Sequence, residues 1–496
     1  MPFSKKLARC VRRGLLTVAV VATLLVGFVL VENWRGARAW REYAAQQAAL
    51  GDPVDVFPAP SSLPPERNFM KTPVLDRVLF MMEGGAELEV FEKMSSPKVP
   101  GGAFQAWREG RMCDLAAVAG IKAPEGADAA ATRAAYLAGA DAVLAANAQA
   151  EVLAVLEELR QAVPARTESQ VVRPVAITRA LPPDVPVPRL LVVRTLSSRL
   201  AVDACAALAN GRHEQGWLDT MALVRLTRGF TDLPDGCLIE SMIGVVLASH
   251  VAQPVYEAWI RRSWTEVQWA RMQEELAKVA PLRSLERSLR VERAFVVNSL
   301  ANVPVSKILP PETASGETYP WWAGSLQFVP GWIERNKIAS AEDLNQRISL
   351  LGQRATPGFL ARLREDDAQR ERLRGLTTPA NVLMQVATPA YTNVTASALR
   401  AESSVALTLT VCALERHRLA RDQYPETLAD LVPAFLAAGP IDVIDGQPLR
   451  YRRLADGSFK LYSIGLNGTD DDGAPSDWKT GEGPRHGDWC WPQPAQ

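Results

Sequence analysis

An apolar segment near the amino terminus, residues 14–31, constrains this chain more than any other feature of its sequence. The segment contains no charged residue in 18 positions. A helix of that length rises about 27 Å, which nearly matches the ~30 Å hydrocarbon core of a bilayer. The segment therefore predicts a membrane-spanning helix, and the rest of the chain must be arranged relative to that membrane.

The charges on either side of this segment predict its orientation. Residues 1–13 form a basic tail with five cationic side chains: Lys5, Lys6, Arg9, Arg12 and Arg13. Charges of both signs follow the segment. Because Lys and Arg favour the cytoplasmic side, the pattern predicts a single-pass protein of the bacterial inner (cytoplasmic) membrane, with a cytoplasmic amino terminus and an extracytoplasmic bulk. A cleaved secretory signal ending at Ala37-Arg38-Ala39 is the alternative.

Overall charge and cysteine content restrict the class of protein. Lys plus Arg and Asp plus Glu number 55 each, so there is no net field to attract nucleic acid. The six cysteines are widely spaced, which favours isolated buried thiols over a disulfide framework or a zinc site. We therefore predict no nucleic-acid partner, and we leave the pairing of any two cysteines open.

The pattern of residues 32–390 predicts mainly helical structure. Residues 32–66 predict a juxtamembrane helix followed by a Pro-rich spacer, and residues 67–390 predict a helical domain. Within that domain, residues 198–210 and 214–227 predict an αα-hairpin, and residues 238–259 predict a helix that is apolar nearly all round and must be buried. Helices alternating with short Gly or Pro stops resemble tetratricopeptide-like hairpin stacks, although no 34-residue period is present.

A Pro-rich and aromatic loop near residues 301–335 interrupts the helical domain. Four of its aromatic side chains are candidates for a binding groove: Tyr319, Trp321, Trp322 and Trp332. Aromatic residues beside prolines can line a groove for a partner, or they can clamp a long loop onto its own domain. The sequence leaves both interpretations open.

Residues 391–496 differ in pattern and predict a small α/β module. An apolar stripe predicts a long helix from about Tyr391 to Arg421, followed by a turn at Tyr424-Pro425. Alternating residues around 449–453 and 459–463, with Asp456-Gly457 between them, predict a β-hairpin. An acidic loop and an irregular tail follow the hairpin.

This order of parts resembles the periplasmic domain of type II secretion major pseudopilins over about residues 391–475. The resemblance is carried by Tyr424-Pro425, by the hairpin, and by Leu461-Tyr462-Ser463-Ile464-Gly465 leading into Asn467-Gly468 and an acidic run. In that family the loop after the second strand holds a calcium ion. The resemblance implies that these residues lie near the metal: Ser463, Asp470 and Asp471, with Asp472 or Asn467 as further ligands.

The acidic run has its own physical interpretation. Calcium binds six to eight oxygen ligands, and three consecutive carboxylates repel one another unless a cation or water surrounds them. A solvated acidic turn is therefore the alternative to a calcium site.

No complete catalytic constellation is visible in the sequence. Four histidines are present, and none has a metal-ligand partner at a useful spacing. We predict no catalytic residue and no cofactor other than calcium. The predicted function is a membrane-anchored envelope protein with a structural or adaptor role, which binds a protein partner in secretion or envelope assembly. The alternative is an extracytoplasmic hydrolase acting on envelope material, so enzymatic activity stays open.

Overall fold

The computed structural model describes most of the chain. The described ranges are residues 3–80, 86–94, 103–122, 128–173, 186–308, 322–374, 377–387, 391–475 and 487–493. They form a mainly helical protein with one small antiparallel sheet. The fold class predicted from the sequence, mainly α with a small β element near the carboxyl terminus, is confirmed at this level.

The α-helices of the described ranges are numbered in chain order. Their bounds are Phe3–Ala49 (α1), Pro73–Val78 (α2), Ala86–Met94 (α3), Leu115–Val118 (α4), Ala129–Asn147 (α5), Ala150–Ala165 (α6), Leu190–Ala209 (α7), His213–Thr231 (α8), Leu238–Arg261 (α9), Glu266–Leu276 (α10), Pro281–Asn302 (α11), Val305–Ile308 (α12), Pro330–Gly352 (α13), Phe359–Arg374 (α14), Val382–Ala387 (α15) and Tyr391–Arg421 (α16). A 3-10 helix, Ala323–Phe328, precedes α13.

Helix α1 is one continuous element of 47 residues. The sequence predicted a span at residues 14–31 and a separate juxtamembrane helix after it, but the helix does not break between them. It contains no proline, and its length of about 70 Å exceeds the thickness of a bilayer. Most apolar side chains of residues 11–31 are exposed, whereas from Glu32 onward one face is covered by the rest of the protein.

Helices α7, α8 and α9 form the centre of the main core. The predicted αα-hairpin is confirmed as α7 and α8, with Gly211 at φ +71° in the turn, a backbone conformation that glycine adopts without strain. The predicted burial of α9 is also confirmed, since 72% of its most apolar window lies inside the protein. The apolar, all-round sequence of α9 is thus explained by neighbours on several sides.

Local boundaries differ from the sequence predictions in two places. The Ala-, Leu- and Glu-rich composition of residues 129–163 predicts one helix that stops at Pro164, but α5 and α6 meet at a bend of 94° after Asn147. Ser263 with Glu266 three residues later predicts a capping box for the helix that follows, but the cap of α10 is formed by Thr265 with Gln268. Both pairs have the Ser/Thr-x-x-Glu/Gln spacing of a capping box, so spacing alone could not choose between them.

The sheet consists of β1 (Arg450–Arg453), β2 (Phe459–Ser463) and β3 (Trp489–Trp491), all antiparallel. The predicted hairpin is confirmed as β1 and β2, with Arg453 opposite Phe459 next to the turn. Strand β3 lies in the segment predicted as an irregular tail. It buries Trp489 and Trp491, and Trp491 contacts Tyr256 and Trp259 of α9.

The main hydrophobic core of the described residues extends from the segment just before α2 to the sheet. It includes Phe69 near the start of the helical part and Trp491 in β3. The boundary predicted at residue 391 does not coincide with a break in this core. The Pro-rich segment predicted as a spacer is also part of the packed body, because Val54 is buried and the Phe57 ring packs on Phe295 of α11.

Candidate functional site at the junction of α1 and α13

The second half of α1 lies along α13, and the two helices run in the same direction. They approach most closely at Gly36 and Gly331, where a Cβ added to Gly36 would lie 2.5 Å from the Cα of Gly331. The Gly331 backbone N–H donates a hydrogen bond to Asn33 Oδ1 at 2.9 Å. Glycine is required at this crossing because any side chain would overlap the facing backbone. We call this contact the α1–α13 junction.

A carboxylate stands at the end of the junction that adjoins the apolar half of α1. Glu32 is only 8% exposed, and its oxygens accept hydrogen bonds from Arg35 Nη1 at 2.9 Å and from Trp332 Nε1 at 3.2 Å. Arg335 Nη2 lies 3.6 Å from Glu32 Oε2. The Trp332 ring also meets the Phe28 ring edge to face, at 6.1 Å between centroids. A side chain of the folded body thus contacts the apolar segment itself.

The other end of the junction is fixed by polar contacts. Lys337 Nζ lies 3.8 Å from the centre of the Trp40 ring, a cation–π contact, and Asn345 donates to the Tyr43 hydroxyl at 3.2 Å. Burial raises the pKa of Tyr43 to about 12. After α1 ends, Asp52 receives two hydrogen bonds from Arg293 of α11, which lower the pKa of that carboxyl.

The described candidate groove residues belong to a second, smaller core beside this junction. Trp322 and Trp332 pack against a cluster of buried side chains: Leu300, Val305, Ala323, Leu326, Val382 and Leu383. For these two tryptophans the structure shows contact with their own domain. Tyr319 and Trp321 lie outside the described residues, so the binding groove stays a prediction.

The predicted calcium ligands point to different partners. The Ser463 hydroxyl is buried and donates to Asp442 Oδ1 at 2.8 Å. Asp470 accepts from the Tyr462 hydroxyl at 3.0 Å, and Asp471 accepts from Asn467 at 2.7 Å. Asp472 lies within 3.8 Å of two cations, Arg452 and Lys460. Across the described ranges, no group of three or more His, Cys, Asp or Glu is arranged to hold a metal ion.

The residue that organises the acidic loop was not predicted. Asp488, immediately before β3, accepts hydrogen bonds from the backbone N–H groups of Asp471 and Gly473, at 3.1 and 2.7 Å. Burial, together with the nearby carboxylates of Asp470 and Asp471, raises the pKa of Asp488 to about 6. The only sequence signal was its place before the alternating Trp489-Cys490-Trp491. The calcium site stays a prediction.

A cleft of about 590 Å³ lies between α14 and α16. Its walls combine apolar and polar side chains: Leu360, Leu363, Leu399 and Leu466, with Arg364, Asp367, Asn393 and Ser397. Arg364 reaches across one end of it and donates to the carbonyls of Leu466 and Asn467, at 2.6 and 3.0 Å. The cleft is therefore bordered both by helices and by the loop after β2.

One serine and one histidine come together, but in the interior. Ser197 Oγ lies 3.0 Å from His250 Nδ1, and both side chains are buried between α7 and α9. The serine hydroxyl already donates to the Arg194 carbonyl at 2.9 Å, and burial lowers the pKa of His250 to about 4. Such a pair satisfies core polar groups and is not a nucleophile open to a substrate. His213 is exposed, His417 contacts the Gln423 carbonyl, and His486 lies outside the described residues.

Buried ion pairs in the helical core were also absent from the sequence prediction. Arg160 of α6 contacts Asp203 of α7 and Asp219 of α8, and both aspartates are fully buried. Burial raises the pKa of Asp219, while Arg160 opposes that shift. These groups join three helices through charge, since each buried carboxylate requires a cation beside it.

Comparison with known proteins adds no relative to this description. No family model, no curated protein and no solved structure matches the chain. The resemblance of residues 391–475 to major pseudopilins and that of the helical part to tetratricopeptide-like stacks therefore stay predictions. Two described helices, α1 and α9, are long and apolar enough to cross a membrane, or three spans if α5 and α6 count as one bent span. The window in α1 has a mean hydropathy of 2.7 and is not buried, whereas 72% of the window in α9 is buried.

Proposed function

We propose that this protein is a single-pass protein of the bacterial inner membrane, with a cytoplasmic amino terminus and an extracytoplasmic body. In this proposal α1 is both the anchor and a structural element of the body. The body acts as a scaffold or adaptor that is held in a fixed position over the membrane and binds a protein partner of the envelope.

The continuity of α1 carries this proposal. An anchor that is joined to its domain by a loose linker lets the domain move freely relative to the membrane. Here the anchor passes without a break into a segment that is packed on α13 through glycine contacts, the Glu32–Trp332 hydrogen bond and the Lys337–Trp40 contact. The direction of the body relative to the membrane normal is then determined by the helix. A fixed direction is useful to a protein that presents a surface to partners in the same membrane.

The charges on α1 support the proposed orientation. The residues ahead of the apolar segment are basic, whereas those that follow include Glu32 and Glu42, which pair with arginines of the same helix. Five Lys and Arg residues precede the segment, whereas three arginines, Arg35, Arg38 and Arg41, follow it within α1. Because an excess of Lys and Arg favours the cytoplasmic side, this difference supports a cytoplasmic amino terminus.

The first experiment tests anchoring and orientation in the full chain. We expect the protein to stay with membranes through an alkaline wash and to be released by detergent. We also expect a tag at Gln496 to be cleaved by protease added to spheroplasts. A chain that is released without detergent, or a tag that is reached only after the cells are lysed, would overturn the proposal.

A second experiment tests the scaffold role. Crosslinking in intact cells, followed by purification through the tag, is expected to recover an envelope protein with the wild-type chain. Gly36→Leu disturbs the α1–α13 junction and is expected to reduce this crosslink while the chain remains in the membrane. Gly352→Ala is the control, because a Cβ at Gly352 meets no atom within 4 Å. Recovery of the chain alone in every case would contradict a scaffold role.

A further inference from the structure

We infer that the body of this protein itself contacts the lipid headgroup layer, in addition to the anchor. The contacting part is the 3-10 helix Ala323–Phe328 together with the first turn of α13, residues 330–333, which we call the membrane-facing end. This inference rests on the proposed function, because it requires α1 to span a membrane. It adds a lipid-binding surface on a segment 300 residues away from the anchor in sequence.

The depth of this end follows from the contact between Phe28 and Trp332. Phe28 lies within the apolar segment, three residues before its last residue, or about 4.5 Å along the helix axis. The Trp332 ring lies beside it, at 6.1 Å between centroids. The headgroup layer occupies roughly 5–7 Å on each side of the hydrocarbon core. With residues 14–31 spanning that core, Trp332 is placed at the boundary between hydrocarbon and headgroups.

The direction of α13 identifies which part of the body is nearest to the lipid. Trp332 lies beside residues 28 and 32 of α1, Lys337 beside Trp40, and Asn345 beside Tyr43. Both helices therefore lead away from the membrane together. The first turn of α13 is its end nearest the membrane, and the 3-10 helix that precedes it packs against that turn, because Leu326 and Trp332 belong to the same apolar cluster.

The exposed side chains at this level have the chemistry of an interface. Phe328, the last residue of the 3-10 helix, is 69% exposed, and Trp34 of α1 is also exposed, with Arg38 over its ring. Aromatic rings are enriched where hydrocarbon meets headgroups, because an apolar ring can lie in lipid while a polar edge or a nearby cation stays in water.

The polar groups at this level are paired in a way that suits the same location. A carboxylate near hydrocarbon is costly unless a cation or hydrogen-bond donors surround it. Glu32 is enclosed by the Trp332 indole N–H, Arg35 and Arg335. The Trp332 ring can therefore face lipid while its N–H remains hydrogen-bonded to protein.

A photoreactive probe tests this contact without disturbing the fold. Benzoylphenylalanine is introduced at position 328, 24 or 267 of the full chain, which is then irradiated in vesicles of labelled phosphatidylethanolamine and phosphatidylglycerol. Leu24 lies in the apolar segment and is the positive control. Val267 of α10 is the matched negative control, because it is apolar and 73% exposed but lies on a helix that packs on α8 and α16.

The expected result is a labelled lipid adduct with the probe at position 24 or 328, and no adduct with the probe at position 267. An adduct at 24 without one at 328 would overturn the lipid contact and leave the anchor intact. No adduct at 24 would overturn the anchor and the contact together. Adducts at both 328 and 267 would show nonspecific capture and remove support for a defined surface. In native membranes, a protein adduct replacing the lipid adduct at 328 would assign this end to a protein partner and overturn the inference.

Discussion

Trp332 donates its indole N–H to the carboxylate of Glu32, across 300 positions of sequence, at 3.2 Å. This bond lies at the end of the apolar segment, where a linker between anchor and domain would be expected. The body is thus attached to α1 by tertiary contacts as well as by the chain. Variants that weaken these contacts are expected to destabilise the packing of the body against α1.

The glycine crossing is the first place to test this attachment. Gly36→Ala adds a Cβ that would meet the backbone of Gly331. Because two helix backbones cannot easily move apart, we expect a loss of roughly 1–3 kcal/mol, seen as a lower melting temperature in detergent. Gly352→Ala on α13 meets nothing and is expected to leave the melting temperature within a degree or two. Equal melting temperatures for both variants would contradict the close approach.

The buried ion cluster predicts a large and pH-dependent effect. Arg160→Met leaves Asp203 and Asp219 buried without their cation, so the free energy of unfolding at pH 7 should fall by roughly 3–5 kcal/mol. Burial raises the pKa of Asp219 above its ordinary 3.8, so the folded state binds more protons than the unfolded state above that pH. Stability of the variant is therefore retained at low pH and lost as pH rises.

Denaturant unfolding at pH 5 and pH 7 measures both parts of this prediction. The control is Arg67→Met, since Arg67 is 61% exposed and lies 3.6 Å from Glu168, and its loss should be below about 1 kcal/mol. An equal loss at the two pH values for Arg160→Met would show that the buried carboxylates do not determine the effect.

His250 predicts a pH dependence of the opposite sign. Burial lowers its pKa from 6.5 to about 4, so the neutral ring is favoured in the folded state. Stability is then lost as pH falls from 6.5 towards 4, by an amount of the order of 3 kcal/mol. His250→Gln should flatten this part of the pH profile, whereas His213→Gln, at an exposed position, should leave it unchanged. Parallel profiles for wild type and His250→Gln would disprove the assignment.

Trp491 tests whether the sheet and the helices unfold together. Its ring is 1% exposed and lies 5.3 Å from Trp107 and 5.9 Å from Trp259, between centroids. Trp491→Ala should lower the free energy of unfolding by roughly 3–5 kcal/mol. The protein should still unfold in a single cooperative transition, at a lower denaturant concentration than the wild type. Leu191→Ala, at an exposed position, should change stability by less than about 0.5 kcal/mol. A separate early transition for the sheet would contradict a shared core.

The calcium prediction has a direct thermal test. A ligand present at 100 times its dissociation constant stabilises the folded state by about 2.7 kcal/mol. Calcium should then raise the melting temperature of the wild type and chelator should lower it, with neither effect in Asp470→Ala. The same melting temperature for the wild type in calcium and in chelator would leave the loop as a solvated acidic turn held by Asp488.

The elements that were predicted correctly are those whose sequence signals lie within or next to the element itself. The α7–α8 hairpin, the burial of α9, the long helix α16 and the β1–β2 hairpin follow from apolar periodicity, stops and a tight turn, all within a few residues of each element. The third strand escaped prediction because three residues carry too little periodicity. More than 20 residues of polar, Gly-rich chain separate it in sequence from β2, the strand with which it pairs.

The junction residues escaped prediction for a different reason. Gly36 and Gly331 are ordinary glycines in sequence, and only their opposition across two helices gives them a role. Asp488, Asp203 and Asp219 likewise look like solvated acids until the fold buries them beside particular donors. A sequence pattern does not show which distant residue will lie beside a given carboxylate. It therefore cannot distinguish a buried, paired carboxylate from an exposed one.

By itself the sequence determined that one helix has an apolar surface long enough for a bilayer, that the remainder is mainly helical, and that a hairpin follows the last long helix. These depend on the spacing of apolar residues along a single element. Only the tertiary structure decided that this helix continues into the body, that the sheet shares its core with α9, and which carboxylates are buried. Those features depend on contacts between residues that are separated in sequence, by 43 positions for Arg160 and Asp203 and by 300 for Glu32 and Trp332. Close packing and charge pairing select such partners.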